Sequence, residues 1–453
     1  MKEIEKRVAI IGAGITGLTT AYYLKKAGIK FTIFESSNHI GGVINTQEKD
    51  GFTYETGPNS GVVATAEMAD LFEELKDKCQ LEKADHSSAR RLIWRKGKWN
   101  ALPSGLLSAV FTPLFTLKDK LGILAEPWRK KGTNPNETLA EMVKRRMGQS
   151  FLDYAIDPFI LGIYAGDPNY IVPKYALPKL YNLEQDFGSF IGGAIKKRKI
   201  PKTTDDKKAT REIFSVKGGL INLVNALRDE IGLENIQLNA KNIQFDTKDE
   251  KYILQEDKSE FTHLLSTINA GNLQDTYNFL EKTEVATIDN LTYAKVAEIT
   301  LGFKQWEGIS LDAFGGLVPF KEDRDVLGVL FLSTLFEGRA PKGGALLTLF
   351  SGGIRKPKMA ELSKKEMFEM LKREMKDMMG LNEFKPDLFE VNYYTKAIAQ
   401  YGIDSEDRLK SIAKIENTYK NFYLAGSMRN GVGIADRVKQ GSDIAKQIID
   451  NHA

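Results

Sequence analysis

The first part of the chain changes its hydrophobic spacing twice. The run from Val8 to Ile11 is continuously apolar, which is typical of a buried strand. From Leu18 to Ala27 apolar residues recur at helical spacing, and Gly28 follows as the expected end of a helix. A second apolar run, Phe31 to Phe34, predicts another buried strand. The pattern therefore predicts a strand, a helix and a strand in the order of a parallel α/β unit.

Three glycines occupy the turn between the first strand and the helix. Gly12 suits a tight turn, Gly14 lets the backbone approach a pyrophosphate, and Gly17 lets the helix pack on the strand. Free amides at the helix N-terminus would stabilise phosphate, and Glu35 is placed to accept hydrogen bonds from ribose hydroxyls. The alternative is a glycine turn without a ligand. The unit predicts a Rossmann-like dinucleotide site with contacts from Gly12, Gly14, Ile15, Thr16, Gly17, Glu35 and Ser36.

Later patterns predict that this domain is assembled from separate segments. Strand patterns recur between Ile236 and Thr267, and a last strand at Phe422–Leu424 precedes a helix from Ile434 to Ile449. Alternation from Ala294 to Phe350 predicts a second sheet, whereas strand patterns are scarce from Ser104 to Ile195. We therefore expect an α/β fold with a nucleotide domain at 1–88, 207–273 and 404–453, a sheet-containing substrate domain at 89–103 and 274–403, and a helical insertion at 104–206.

Several local elements have clear signals. A short hairpin is expected around Arg91–Trp94, with its turn at Lys96-Gly97. Helical spacing runs from Leu139 to Phe159, with either Thr138 or Asn136 as the capping residue, and again from Lys364 to Met379. The lysine-rich stretch 196–208 is predicted to be a polar loop, either solvated or in contact with acidic lipid.

The stretch from Trp99 to Leu117 has no charged residue. Its prolines, Pro103 and Pro113, argue against a membrane-spanning helix. Two interpretations stay open: a buried loop-and-helix segment, or an apolar surface that dips into a membrane interface. The second is supported by the cations that follow, namely Lys118, Lys120, Arg129, Lys130 and Lys131.

Charge and composition exclude several classes of function. The chain has 453 residues and a net charge of +4, too mild to indicate a nucleic-acid partner. One cysteine, Cys79, excludes an internal disulfide and fits a reducing, cytoplasmic location. The N-terminus carries no pattern of a secretory signal. The four histidines are scattered, so neither a metal site nor a catalytic triad is expected.

A second glycine pair, Gly41-Gly42, follows Glu35, and Gly57-Pro58 comes soon after. A double glycine there resembles flavin-binding Rossmann domains of the amine-oxidase and porphyrinogen-oxidase branch, although two ordinary glycine turns are the alternative. The resemblance implies FAD as the cofactor, with further contacts from Gly41, Gly42, Gly57 and Pro58.

Longer motifs narrow the resemblance. Asp157-Pro158-Phe159 with Gly162 to Pro168, then Ala397 to Tyr401, and Gly431 to Asp436 resemble the motifs of the protoporphyrinogen oxidase family over essentially the full length. The chain departs from that family's usual residues at four positions: Asn45, Tyr394, Ala399 and Arg437.

The resemblance implies FAD-dependent oxidation of protoporphyrinogen IX to protoporphyrin IX in haem biosynthesis. Six electrons would leave in three two-electron steps, with flavin N5 accepting hydride and oxygen giving hydrogen peroxide. No side chain is identified as catalytic. The flavin is expected to be non-covalent, because Cys79 is far from the C-terminal motif, which would contribute Gly426, Val432, Gly433 and Ile434.

An apolar tetrapyrrole with propionate arms calls for an apolar cavity with a basic edge. Arg91 matches an arginine that some family members use near a propionate, although a surface arginine on a hairpin is the alternative. The resemblance adds Gly162 and Tyr164 as substrate contacts. It also implies a peripheral contact with the inner face of the cell membrane, a homodimer, and hand-over of the product to a ferrochelatase.

Three rival functions stay open. A flavin amine oxidase would need a lysine near N5, but Ala297 occupies the matching position and Lys295 lies two residues away. Coproporphyrinogen III oxidation would demand more basic groups for four propionates. A non-catalytic flavoprotein acting as a carrier or assembly partner is the third alternative.

Overall fold

The computed structural model describes residues 5–103, 105, 108 and 111–451. Ser104 and four other positions of the uncharged stretch lie outside the described residues. Twenty strands are described, in chain order: β1 Arg7–Ile11, β2 Lys30–Phe34, β3 Thr46–Lys49, β4 Phe52–Glu55, β5 Gly61–Val62, β6 Leu81–Lys83, β7 Arg91–Arg95, β8 Lys98–Ala101, β9 Ile213–Val216, β10 Ile236–Gln237, β11 Phe245–Lys248, β12 Lys251–Leu254, β13 Glu260–Phe261, β14 His263–Ser266, β15 Tyr293–Phe303, β16 Gly315–Leu317, β17 Gly328–Leu330, β18 Ala345–Gly352, β19 Leu388–Ala399 and β20 Phe422–Leu424.

The α-helices of the described residues connect and cover these strands. They are α1 Ile15–Lys26, α2 Ala66–Glu74, α3 Leu117–Leu124, α4 Leu139–Met147, α5 Gln149–Phe151, α6 Asp157–Tyr164, α7 Pro173–Ala176, α8 Pro178–Phe187, α9 Phe190–Arg198, α10 Thr204–Lys208, α11 Ile221–Ile231, α12 Leu273–Thr276, α13 Lys282–Asp289, α14 Leu332–Leu335, α15 Lys364–Met379, α16 Ser405–Thr418 and α17 Ile434–Asp450.

A five-stranded parallel sheet has the order β10-β2-β1-β14-β20. Its register aligns Ile11 with Phe34 and Ser266, and Ser266 with Leu424. The carboxyl ends of four strands therefore lie in one row, at the edge where α/β folds bind nucleotides. The predicted α/β class and the return of distant segments to one sheet are confirmed.

A seven-stranded sheet has the order β19-β15-β18-β17-β16-β7-β8. The predicted hairpin forms with left-handed turn residues at Lys96 (φ 53°) and Gly97 (φ 72°), the conformation that suits a tight hairpin. β7 then pairs in parallel with β16, so the 89–103 segment shares a sheet with strands from 274–403.

No strand occurs between residues 102 and 212 among the residues that the structure describes. Thr138 caps α4 and forms a reciprocal capping box with Glu141, as expected for the start of a helix. The predicted continuous helix to Phe159 is wrong, because Gly148 (φ 92°) ends α4 and Leu152–Ile156 forms a π-helical turn.

The prediction of a polar loop at 196–208 is also wrong in part. α9 continues to Arg198, and α10 begins after Thr203, whose side chain and Asp206 cap each other. The reciprocal hydrogen bonds between Thr203 and Asp206 satisfy amides at the start of this short helix, although its sequence is highly charged. None of its large residues is buried.

The helical region shares its core with the nucleotide side of the molecule. Leu139 and Ile160 belong to the same buried cluster as Leu264 and Phe422. The domain boundaries therefore stay a prediction. Across the described part of the chain, no helix is both long enough and apolar enough to cross a membrane.

Candidate functional site

The glycine turn after β1 is closely packed at two positions and open at a third. A Cβ atom on Gly12 (φ 103°) would lie 2.4 Å from Thr267 Oγ1, and one on Gly17 would lie 2.2 Å from the Gly12 carbonyl oxygen. Nothing lies within 4 Å of a Cβ built on Gly14. Gly12 and Gly17 are thus required by packing, whereas the backbone at Gly14 is accessible to a ligand.

The start of α1 has amides suited to an anion. Gly14 is its N-cap and has no side chain to accept a hydrogen bond from the first turn. The side chains of Ile15 and Thr16 are buried, so these residues offer backbone groups rather than side chains. Amides of a first helical turn, together with the helix dipole, favour phosphate at this position.

Glu35 reaches the same turn from the end of β2. Its Oε2 atom accepts a hydrogen bond from the Ala13 amide at 2.8 Å, and its Oε1 atom accepts one from the Ser37 amide at 2.8 Å and one from Ser36 Oγ at 3.3 Å. A carboxylate has about four acceptor positions, so it can also accept from a ribose. That ribose contact stays a prediction.

The second glycine pair docks on the first turn. The Gly41 amide donates to the Ala13 carbonyl at 2.8 Å, and a Cβ atom on Gly42 would lie 3.3 Å from the Gly14 Cα atom. Gly57 lies against Val43, where a Cβ atom would be 1.9 Å from the carbonyl oxygen. Gly57 and the adjacent Pro58 are half-buried.

The C-terminal segment contributes a second helix N-terminus. Gly433 is the N-cap of α17 and donates its amide to Asp436 Oδ2 at 3.1 Å. The Gly426 amide donates to Gln440 Oε1 at 2.9 Å. Val432 is half-buried and Ile434 is buried.

Close contact between α1 and α17 brings these two N-termini together. Thr20 Oγ1 donates to the Gly441 carbonyl at 3.1 Å, and a Cβ atom on Gly441 would lie 2.6 Å from the Thr16 carbonyl oxygen. Both helices follow parallel strands, β1 and β20. The structure therefore brings the predicted contacts Gly12–Gly17, Glu35 and Gly426–Ile434 to one edge of one sheet.

Two buried acids beside this edge were missed by the sequence analysis. Glu55 accepts from Thr46 Oγ1 at 2.6 Å, the Leu220 amide at 3.0 Å and Arg339 Nη1 at 3.1 Å. Burial raises its pKa, although these three partners oppose the shift. The second is Glu298 in the middle of β15, which accepts from Asn59. An acid in an apolar strand was the available signal for Glu298, but its partner lies 239 residues away.

The predicted substrate residues lie around β16. Arg91 begins β7 opposite Gly315, and its exposed guanidinium lies over the Phe314 ring at 5.8 Å. Gly162 on α6 faces Leu317, whose Cδ2 atom would be 2.6 Å from an added Cβ. Arg91 and Gly162 thus adjoin the two ends of one short strand.

Tyr164 is buried, and its hydroxyl donates to the Ala176 carbonyl at 2.8 Å. Burial raises the pKa of this hydroxyl well above its ordinary value. Its polar atom is therefore committed to the fold. A contact between Tyr164 and substrate stays a prediction.

Comparison with known proteins adds the family. The family model for flavin-containing amine oxidoreductases matches residues 15–449. This chain belongs to that family.

Individual relatives match over almost the whole length. A chloroplastic protoporphyrinogen oxidase of Nicotiana tabacum is 30% identical over 97% of this chain and 84% of its own length. A coproporphyrinogen III oxidase of Bacillus subtilis is 25% identical, covering 97% of both chains. A solved structure from Exiguobacterium sp. 255-15, described as a candidate protoporphyrinogen oxidase, superposes with a TM-score of 0.81 over 98% of both chains at 23% identity.

Family membership makes this protein a flavin-dependent oxidoreductase. The residues at the sheet edge fit a flavin that carries a pyrophosphate. The open backbone at Gly14 and the uncapped first turn of α1 suit the phosphates, and the absence of side chains on Gly12 and Gly17 lets the helix approach.

Two positions on β15, Ala297 and Lys295, correspond to the lysine typical of amine-oxidising relatives. Ala297 is fully buried and carries no polar group. Lys295 is exposed, and its Nζ atom pairs with Glu361 Oε1 at 2.5 Å. Neither residue provides a buried amine on β15.

Other catalytic groups are scarce in the described ranges. They contain no group of three or more His, Cys, Asp or Glu residues placed to hold a metal. His263 is buried in β14, and burial lowers its pKa to about 4. Cys79 is buried, and burial raises its pKa to about 12, which keeps the thiol neutral and unreactive at pH 7.

Proposed function

We propose that this protein binds FAD non-covalently and oxidises protoporphyrinogen IX to protoporphyrin IX. The observation that carries the proposal is the full-length similarity to the tobacco enzyme, 30% identical over 97% of this chain. When bound, the flavin accepts two electrons at a time, so removal of six electrons takes three cycles. With oxygen as acceptor, one porphyrinogen and three O₂ give one porphyrin and three H₂O₂.

The chain's own groups have distinct tasks in this proposal. The amides at the start of α1 bind the pyrophosphate, and Glu35 accepts hydrogen bonds from the ribose. The N-terminus of α17, at Gly433, would help to hold the flavin and would stabilise the negative charge that reduction places on it. These groups orient the cofactor, which supplies the difficult chemistry.

Arg91 is the proposed partner of a substrate propionate. Among the described residues, its guanidinium has neither a hydrogen bond nor an ion pair with another side chain. Neighbouring arginines are engaged instead: Arg90 with Asp312, Arg95 with the Pro113 carbonyl, and Arg355 with Asp157. One uncommitted arginine suits a substrate with two propionates better than one with four.

Coproporphyrinogen III is the second candidate substrate. The relative from Bacillus subtilis, named for that activity, covers 97% of this chain at 25% identity. Four propionates would recruit cations in addition to Arg91. Lys98 on β8 is exposed, but it pairs across the hairpin with Arg95, at the other end of β7 from Arg91.

The deciding experiment compares both porphyrinogens under air with the purified, FAD-loaded protein. Porphyrin fluorescence and hydrogen peroxide are measured together. We expect at least tenfold greater kcat/KM with protoporphyrinogen IX, equivalent to about 1.4 kcal/mol of discrimination. A preference for coproporphyrinogen III would contradict protoporphyrinogen IX as the substrate. Oxidation of benzylamine with no porphyrin formed would contradict porphyrinogen oxidation as the function.

We also propose a peripheral membrane contact on α3 and its flanks. Leu117, Leu121 and Leu124 form one face of α3 and are 77%, 68% and 64% exposed. Phe111 and Trp128 are also exposed, at 81% and 83%. Lys118 and Lys130 are exposed nearby, whereas Arg129 donates to the Gly122 carbonyl and is part of the fold. Such an apolar, cation-flanked surface suits an anionic interface.

Flotation with vesicles containing anionic lipid tests this contact. Leu121→Glu is expected to reduce the bound fraction at least fivefold, since it places a charge on the apolar face. Leu233→Glu changes an exposed leucine elsewhere and is the matched control. Equal flotation of both variants would reject the surface.

A further inference from the structure

Glu298 is a buried acid on the side of the large sheet that faces the cofactor-binding segments. It is 1% exposed. Because side chains alternate along a strand, Ala297 and Ile299 point into the sheet's own core, and Glu298 shares the opposite face with Val296. Val296 packs against Leu161 of α6. Glu298 therefore lies between the sheet and the segments that the proposed function uses.

Its partner is Asn59, which directly follows the predicted cofactor contacts Gly57 and Pro58. Asn59 Nδ2 donates to Glu298 Oε1 at 2.6 Å and to the Gly57 carbonyl at 3.1 Å. Asn59 Oδ1 accepts from Thr348 Oγ1 at 2.9 Å. The Gly57 carbonyl can only accept, so it determines which end of the Asn59 amide carries the protons. Glu298 Oε1 is consequently the acceptor of its hydrogen bond.

No cation compensates the Glu298 carboxyl within the described residues. The negative charge of Glu55 contributes to raising the pKa of Glu298, and Glu55 is itself paired with Arg339. On the neighbouring strand β19, burial and the charge of Glu298 raise the pKa of Tyr394. Glu390 on the same strand is paired with Lys49 and Lys364. β18 has no titratable side chain.

Burial, partly opposed by the Asn59 hydrogen bond, raises the pKa of Glu298 to about 8. The carboxyl is therefore neutral at pH 7, and its Oε2 atom has no hydrogen-bond partner among the described residues. A neutral acid is also the form that burial without a cation favours on general grounds.

We propose that Glu298, as a neutral carboxylic acid, is a positioning residue that holds Asn59, and through it Gly57 and Pro58, in the orientation that meets the flavin. This inference rests on the flavin site of the proposed function. Glu298 on β15 and Thr348 on β18 thereby fix the position of residues 57–59, which are part of the predicted nucleotide domain.

FAD affinity of the stripped protein, measured by flavin fluorescence at pH 7, tests the proposal. Glu298→Val is expected to raise Kd about tenfold, because it leaves the Asn59 amide without its acceptor. Glu298→Gln retains an acceptor oxygen and is expected to stay within twofold of the native protein. In Glu298→Asp the side chain is too short to reach Asn59, so Kd should rise about fivefold. This variant provides the test if Glu298→Val does not fold.

A double-mutant cycle separates positioning from general destabilisation. Asn59→Ala should raise Kd about tenfold, and adding Glu298→Val should change it less than twofold further, because both act through one contact. Glu374→Gln, which changes a buried acid of α15 that is paired with Arg324, is the matched control and should leave Kd unchanged.

Thermal melting tests the neutral form independently of flavin. A raised carboxyl pKa makes the native state bind a proton that the unfolded chain has released, so stability falls as pH rises from about 4.5 to about 8. Glu298→Gln removes that loss, and its Tm should rise relative to native between pH 5 and pH 8.

Three results would overturn the inference: unchanged Kd in Glu298→Val, additive effects in the cycle, or a Tm difference that is flat with pH. Failure of the native protein to bind FAD at all would instead overturn the proposed function, and this inference with it.

Discussion

The glycine edge of the small sheet and the helical region at 104–206 are held together by opposite means. At the glycine edge, the contacts are made by backbone groups and the Glu35 carboxylate, all within one short unit. Ala13 donates its amide to Glu35 Oε2 and accepts from the Gly41 amide. In the helical region, a buried ion network joins segments far apart in sequence. The difference matters because backbone amides leave free capacity for a ligand, whereas the ion network is satisfied by its own members.

Arg146 is the centre of that network and is fully buried. Its Nε atom donates to Glu126 Oε1 at 2.7 Å, and its Nη1 atom donates to Glu184 Oε1 at 3.1 Å. Arg145 adds bonds to Glu184 at 2.7 Å and to Glu137 at 2.6 Å. Four polypeptide segments are thus joined, and the three central charges, Arg146, Glu126 and Glu184, are fully buried.

Both central acids are stabilised as anions. Burial alone would raise the pKa of Glu126, but Ser189, the Phe190 and Ile191 amides and Arg146 outweigh it, and the pKa is lowered. For Glu184, burial is likewise outweighed, chiefly by Arg145. A lowered pKa contributes stability that is present above about pH 4.5 and is lost as pH falls through the folded-state value.

The largest expected effect comes from breaking this network. Arg146→Met should lower the free energy of unfolding by about 3–5 kcal/mol, because two buried carboxylates lose their shared cation. Urea unfolding at pH 7 measures it. Lys144→Met, an exposed cation on the same helix, is the control and should change stability by less than about 0.5 kcal/mol. Equal effects of the two variants would contradict the assigned importance of the network.

Gly17→Ala is the next largest. A methyl group would be 2.2 Å from the Gly12 carbonyl oxygen, so helix and strand must separate. Overpacking of this kind costs about 1–3 kcal/mol, measured by unfolding of the flavin-free protein. A native-like Tm would show that α1 can move without cost.

Gly14→Ala should separate ligand binding from folding. The methyl group meets nothing within 4 Å, so the flavin-free protein should keep its stability to within about 0.5 kcal/mol. FAD affinity should nevertheless fall about tenfold, or about 1.4 kcal/mol, because the methyl group occupies the approach to the phosphates. Titration with FAD measures the loss, and unchanged affinity would place the pyrophosphate elsewhere.

The smallest expected effect is at Arg91. Arg91→Ala should raise KM for the porphyrinogen about fivefold and leave kcat within twofold, since a propionate contact is equally present in ground and transition states. Arg90→Ala, which breaks only the exposed pair with Asp312, is the matched control. Steady-state fluorescence assays measure both, and an unchanged KM would remove Arg91 from the site.

Local signals predicted local structure well. The helix Lys364–Met379 was predicted with its observed bounds, and Thr138, one of the two predicted capping residues, caps α4. Capping and helical periodicity depend on residues a few positions apart. The break at Gly148 was missed, since apolar spacing continued through it. Glycine in a helical pattern is tolerated often enough that the pattern alone did not predict the interruption.

Long-range pairs were beyond such signals. Glu55 lies two residues before Gly57 in the sequence, but its partner Arg339 lies 284 residues away. Glu298 and Asn59 are separated by 239 residues. A single sequence contains no information on which distant polar groups will meet, because that depends on sheet order and helix packing.

The sequence by itself determined the α/β class, the glycine turn, the acid after β2 and the flavoprotein resemblance, because each rests on spacing within a few turns of chain. Only the tertiary structure placed Gly14, Glu35 and Gly433 at one edge of one sheet. It also decided that the Tyr164 hydroxyl donates to the Ala176 carbonyl and that Glu298 is buried against Asn59. Those outcomes follow from strand order and burial, which decide the partner and the charge of a polar group only after distant segments have packed together.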